Sequence, residues 1–199
     1  MKRIFMKRIF KQLPIHILFT AALTLTSSLA HASWIGDIWD DGVSEIKTVY
    51  TKGDDQLFVS GHAHHGRSSY TPAKLATLNE NAWGLGWAKT LREKNESGGM
   101  THRGVYGFVI SDSHKDPQYM LGYSYEKAYY FNKDWFIAGG VAPMIVRRED
   151  MFGKVPFPAI FPLMSIGNQT AELRMVYIPR LSKNLGNGDV LYLFGAIKF

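Results

Sequence analysis

Beyond residue 53 the chain alternates bulky apolar residues with small or polar ones. "WGLGWAK" puts Trp83, Leu85 and Trp87 on one face and Gly84, Gly86 and Ala88 on the other. "MLGYSYEKAY" sets Leu121, Tyr123, Tyr125 and Tyr129 against Gly122, Ser124 and Glu126, and "AELRMVY" sets Leu173, Met175 and Tyr177 against Glu172 and Arg174. Period two with bulky apolar residues outward is the pattern of a membrane barrel. Eight such segments are expected, at roughly 55–66, 82–93, 100–112, 118–130, 134–147, 159–167, 170–179 and 189–199. Short turns such as "FNKD" and "GNQ" alternate with longer links near 67–81, 113–117, 148–158 and 180–188. That alternation suits short periplasmic turns and longer outer loops. A soluble lipocalin-like barrel would reverse the faces, apolar in and polar out.

The residues before the strands follow a different period. In "SWIGDIWDDGVSEIKTVY" the apolar Ile35, Ile38, Trp39, Val43, Ile46, Val49 and Tyr50 share one face at 3.6 residues per turn. An amphipathic helix is expected from about Trp34 to Tyr50, within a segment 33–52. Asp37, Asp40, Asp41 and Glu45 lie away from its apolar stripe. The helix could pack on protein or lie in a membrane interface. The fold class is thus all-β: an eight-stranded antiparallel transmembrane β-barrel over 53–199, preceded by an N-terminal amphipathic α-helix.

Residues 1–32 belong to neither element. They run from a basic front through an apolar stretch, Leu13 to Leu29, to Ala30-His31-Ala32, the layout of a secretory signal peptide cleaved after Ala32. The repeated "MKRIF" leaves Met6 as an alternative start. Charge then changes meaning. Of the 23 basic residues, five (Lys2, Arg3, Lys7, Arg8 and Lys11) lie in this leader, leaving 18 against 17 acidic ones. Such a balance removes the case for nucleic acid as a partner. The chain has no cysteine, so no disulfide holds the exported fold.

Three segments, "GVYGFVI", "WFIAGGVAPMIV" and "VLYLFGAI", are apolar on both faces. Inside a small barrel this gives either packing filler or an apolar slot for one acyl chain. The final Phe199 and the many tyrosines and tryptophans suit interfacial belts.

The candidate chemistry lies at strand ends. Unbroken alternation through "LFVSGHAHHGR" puts Phe58, Ser60, His62 and His64 on the inward face and turns His65 outward or into the loop. Two such histidines could bind a metal, but zinc needs three or four ligands, and no cysteine or HExxH partner is visible. Neither a metal nor a cofactor is expected. Asp112 and Ser113, at the end of the third strand, could meet His62 at the barrel mouth and supply a base, a charged group and a hydroxyl.

The segments "GHAH", "WGLGW", "SDS", "GYSYE", "VPFPAIFPLMSIG" and "YIP" resemble the PagP family from the helix to Phe199. The resemblance implies a barrel with its helix on the periplasmic side. It also implies transfer of a palmitoyl chain from a glycerophospholipid to lipid A in the outer leaflet of the outer membrane, with the active mouth facing outward. The partners are then membrane lipids, and a monomer is expected. The family's essential histidine falls on His62, its Asp-Ser pair on Asp112 and Ser113. Two prolines that open a lateral lipid door fall on Pro162 and Pro179. Ser124 stands where the family has a glycine at the floor of the acyl slot, and His64 where it has an arginine. A second proline-lined gap is in doubt, since Leu57 and Ala82 occupy its positions. A non-enzymatic adhesin or lipid-binding barrel is the alternative from another class.

Overall fold

The structure, a computed structural model, describes residues 32–95, 98–180 and 188–199. The expected leader lies outside the described residues except for Ala32, and so does most of the link expected at 180–188. Helix α1 spans Ala32–Lys52. Eight strands follow: β1 Asp54–His65, β2 Asn81–Lys94, β3 Met100–Ser111, β4 Pro117–Tyr130, β5 Phe136–Arg147, β6 Phe157–Gly167, β7 Ala171–Ile178 and β8 Val190–Lys198. A short helix α2, Pro72–Leu75, sits in the β1–β2 loop, capped by the Thr71 hydroxyl. Each strand pairs antiparallel with the next, and β1 pairs with β8, which closes the barrel. Closure pairs every strand with a neighbour on each side, the condition for spanning lipid.

The outer face carries the expected apolar residues. Trp83 and Leu85 are 65% and 63% exposed and Leu121 69%, with Tyr129, Ile137, Val141, Leu173 and Tyr177 also outward. The interior divides into two zones. Towards the short turns it is a polar plug of Gln56, Thr90, Glu126, Ser165, Glu172 and Arg174, all buried. Thr90 Oγ1 donates to Gln56 Oε1 (2.7 Å), Gln56 Nε2 to Glu172 Oε1 (3.0 Å), and Ser165 Oγ to Glu126 Oε1 (2.8 Å). Arg174 pairs with Glu126 and lies over the Phe58 ring. Mutual satisfaction makes burial of these polar groups tolerable. Towards the long loops the interior is apolar and open.

The final turns of α1, from Glu45, belong to the same compact unit as the strands. There Arg103 and the Tyr123 hydroxyl both donate to Glu45 at 2.7 Å, Val49 is fully buried, and Tyr50 packs edge-on against Trp87 at 5.9 Å. Ile46, in the middle of the expected stripe, is 49% exposed. From Glu45 on, the helix therefore meets the barrel through a polar anchor, Val49 and the Tyr50 ring, while Ile46 stays half-exposed.

Candidate active site

Strand β1 does not keep its alternation. Val59 pairs with Leu85 and Gly195, but Gly61 pairs with Ala82 and Phe194. Two residues of β1 thus correspond to three of β2 and one of β8, a bulge that exchanges the faces of everything after it. Phe58 points inward before the bulge, and Ala63 and His65 point inward after it. This corrects the parity expected from the sequence. His62 and His64 lie exposed on the outer face, while His65 is 1% exposed and faces the interior. Gly61 makes the slip possible, because any Cβ there would overlap the Leu193 carbonyl.

Across the mouth, His65 Nε2 lies 2.8 Å from Ser113 Oγ. Tyr70 stands edge-on to the imidazole at 5.4 Å. Glu80 Oε1 accepts the His65 backbone N–H at 3.0 Å and lies 3.5 Å from Nδ1, a distance for electrostatic attraction rather than a hydrogen bond. Arg67 grips both oxygens of Glu80 at 2.8 and 2.9 Å, and this fork holds the Glu80 carboxyl down at about 2.

Ser113 is fixed by the loop that bears it. The Asp112 backbone N–H donates to the Asp116 carbonyl, and Asp112 Oδ1 accepts the His114 and Asp116 N–H groups at 2.8 and 2.9 Å. Its Oδ2 lies 3.1 Å from Arg148, which also donates to Gln118 (2.8 Å) and clamps Asp150. Asn79 ties the two loops together. Its N–H donates to the Ser113 carbonyl at 2.8 Å, and its side chain reaches Ser111 and the Asp112 carbonyl. The structure therefore brings Asp112 and Ser113 to the mouth as expected, but opposite His65.

Below Ser113 and Asp112 a cavity of about 800 Å³, counting its open mouth, descends into the barrel. Ile110, Phe108, Met144, Leu163, Val176 and Phe194 line it, and Phe58, Tyr106 and Arg174 close it. Tyr106 lies over Gly122, where a Cβ would strike its hydroxyl. Ser124 is buried one inward rung further, facing Gly104.

The model of a family described as "Antimicrobial peptide resistance and lipid A acylation protein PagP" matches residues 45–196. The chain belongs to the PagP family. Curated relatives named lipid A acyltransferase PagP agree with this. One from Bordetella parapertussis is 31% identical over 91% of this chain and 95% of its own. One from Bordetella pertussis strain Tohama I is 32% identical over 81% and 85%. One from Legionella pneumophila is 33% identical over 89% and 90%. Among solved structures, the Yersinia pestis outer membrane protein Ail in a phospholipid bilayer nanodisc has a TM-score of 0.35 at 11% identity, covering 74% of this chain and all of its own.

Pro162 and Pro179 fall at an interrupted ladder. β5 and β6 make eleven pairs, whereas β6 and β7 make five, from Gly167↔Glu172 to Leu163↔Val176. Pairing stops at Pro162, which has no N–H to donate, and Pro179 follows the end of β7. The outer half of β6 thus has no β7 partner, although Phe161 and Ile178 both line the cavity. At Leu57 and Ala82 the β1–β2 ladder is paired, Leu57 with Trp87 and Gly61 with Ala82. Sequence reading did not single out Glu80, Arg67, Asn79 or Arg148 for this site. Each comes from a loop or from the first residue beyond a strand, where periodicity carries no signal.

Proposed function

We propose that this outer-membrane barrel is an acyltransferase that moves a long acyl chain, palmitoyl in the family's pattern, from a glycerophospholipid to lipid A. The observation that carries this reading is the 2.8 Å contact between His65 and Ser113 at the mouth of an apolar slot. A titratable base beside a hydroxyl, above an apolar compartment, matches acyl transfer between two lipids.

The donor's acyl tail enters the slot, which leaves its ester at the level of Ser113. His65 Nε2 takes the proton of the attacking hydroxyl as that oxygen bonds to the ester carbonyl carbon. Collapse of the tetrahedral adduct breaks the bond to the glycerol oxygen, which takes the proton back from His65. The proton path is the same whether the acyl group pauses on Ser113 or passes directly to lipid A. Asp112 holds the Ser113 loop through its own backbone contacts and anchors Arg148, whose charge faces the lipid headgroup region. Glu80 sets the His65 backbone, and Tyr106, lying over Gly122, bounds the far end of the acyl site one rung short of Ser124, the residue expected there. Donor entry runs through the unpaired stretch marked by Pro162 and Pro179.

The orientation rests on loop length. Among the described residues, His65 and Ser113 lie at the end that carries the 66–80, 112–116 and 148–156 links. The opposite end has the turns at 131–135 and 168–170. Longer loops face outward in such barrels, so the mouth opens to the outer leaflet. Mass spectrometry of lipid A from cells with and without this chain tests the reading. An added acyl chain supports it, and an unchanged profile at normal protein level overturns it.

A further inference from the structure

The slot leaves His62 and His64 without a role. They share the outer face of β1, with ring centroids 6.3 Å apart and planes tilted by 35°. Sequence gave no third ligand nearby, but the fold supplies one. His62 pairs with Asn81, so the end of the β1–β2 loop returns to the same edge and carries Glu80 with it. One ligand atom from each of His62, His64 and Glu80 lies within 4.8 Å of the other two.

We propose that His62, His64 and Glu80 form a binding site for a zinc-class divalent cation at the outer rim of the barrel. Two neutral imidazoles and a carboxylate are a recurrent three-ligand set for zinc, with the remaining position left to water or a lipid phosphate oxygen. A tetrahedral shell with bonds of about 2.0–2.1 Å holds its ligand atoms about 3.3 Å apart. Both histidine rings are exposed, so their rotation can close the difference. Imidazole ligands select zinc over magnesium, which prefers oxygen and keeps its waters.

The site is coupled to the slot through Glu80. The same carboxylate accepts the His65 N–H and holds the Arg67 fork. A cation competes with Arg67, which is 53% exposed and free to swing away. Bound cation therefore draws Glu80 outward and pulls on the backbone of His65. Asp112, His114 and Asp150 form another compact group. There Arg148 already bonds Asp150 and lies against Asp112, so a cation would have to displace it from two carboxylates.

The test is calorimetric titration of zinc chloride into the full chain refolded in detergent, with magnesium chloride in the buffer. One zinc per chain is expected. His62→Ala, His64→Ala and Glu80→Gln should each weaken it by about tenfold or more. Arg67→Ala should tighten it severalfold, the opposite sign from a general loss of structure, and His114→Ala should leave it unchanged. The proposal is overturned if no zinc binds, if the His62→Ala/His64→Ala double variant binds zinc as the parent does, or if His114→Ala abolishes binding. The two histidines are exposed and outside the slot, so their variants fold and the titration stays interpretable. Because the readout is binding, it stands whatever reaction the slot performs.

Discussion

Gly61 lies so close to the Leu193 carbonyl that no side chain fits between β1 and β8 at that rung. The contact sits at the bulge and decides which histidines face the interior. Gly61→Ala must therefore push the strands apart or force β1 into another register. We expect a loss of about 1–3 kcal/mol, the usual cost of forcing bulk into a tightly packed position. Urea-induced unfolding in detergent should show a lowered midpoint. A midpoint equal to the parent's would mean that the bulge does not depend on this glycine.

The histidines can be separated by activity. His65→Ala and Ser113→Ala should each reduce acyl transfer by about 10²–10⁴-fold, the range for removing a positioned proton carrier or its partner. His62→Ala should stay within about threefold of the parent in metal-free buffer, since its ring is on the outer face. Transfer is followed with labelled phospholipid and lipid A in detergent. The reverse ranking, His62 essential and His65 dispensable, would sink the assignment.

The strands were legible because period two persisted over about ten residues in each, and burial of one face enforces such a pattern. The facing of the histidines was not legible, because a single slipped residue inverts every side chain after it. Only the glycine inside "VSGHAHH" hinted at a bulge. The helix shows the same limit from another side. Its 3.6 period located the element, yet its anchor is Glu45, held by Arg103 from β3 and Tyr123 from β4. A contact assembled from three separate elements leaves no local period. Glu80 and Arg67 come together only after the β1–β2 loop folds back.

The Glu80 clasp should respond to acid in a defined window. Its carboxyl is lowered from 4.5 to about 2, chiefly by the hydrogen bonds from Arg67. A depressed carboxylate contributes stability that is fully present above the unfolded value and is lost as pH falls through the folded one. Loop 66–80 should therefore keep its hydrogen-exchange protection down to about pH 4.5 and lose it progressively towards pH 2. Glu80→Gln should loosen the loop already at neutral pH and remove the acid transition. A transition that persists unchanged in the variant would place its cause elsewhere.

The plug contains a fully buried ion pair, Arg174 with Glu126. Removing one partner strands a charge, whereas replacing both by apolar residues does not. Glu126→Leu alone should cost about 3–5 kcal/mol, while Glu126→Leu with Arg174→Met should recover most of it. Ser165 loses its acceptor in both variants, so recovery stays incomplete. Thermal unfolding in detergent reads both. A double variant as unstable as the single would mean that the pair stabilises the barrel beyond mutual neutralisation.

The interrupted β6–β7 ladder gives the most direct handle on how lipid enters. Continued beyond Leu163↔Val176, the register would place Phe161 opposite Ile178. The chain has no cysteine, so Phe161→Cys with Ile178→Cys introduces the only pair able to close a disulfide. If the gap is the donor's route, oxidation should halt acyl transfer and a reductant should restore it, because the bridge spans the opening without touching His65 or Ser113. The reduced double variant controls for the loss of two lining side chains, and each single variant should be insensitive to oxidant. Undiminished transfer by a fully oxidised protein, with the bridge verified by mass spectrometry, would show that lipid reaches the slot by another path.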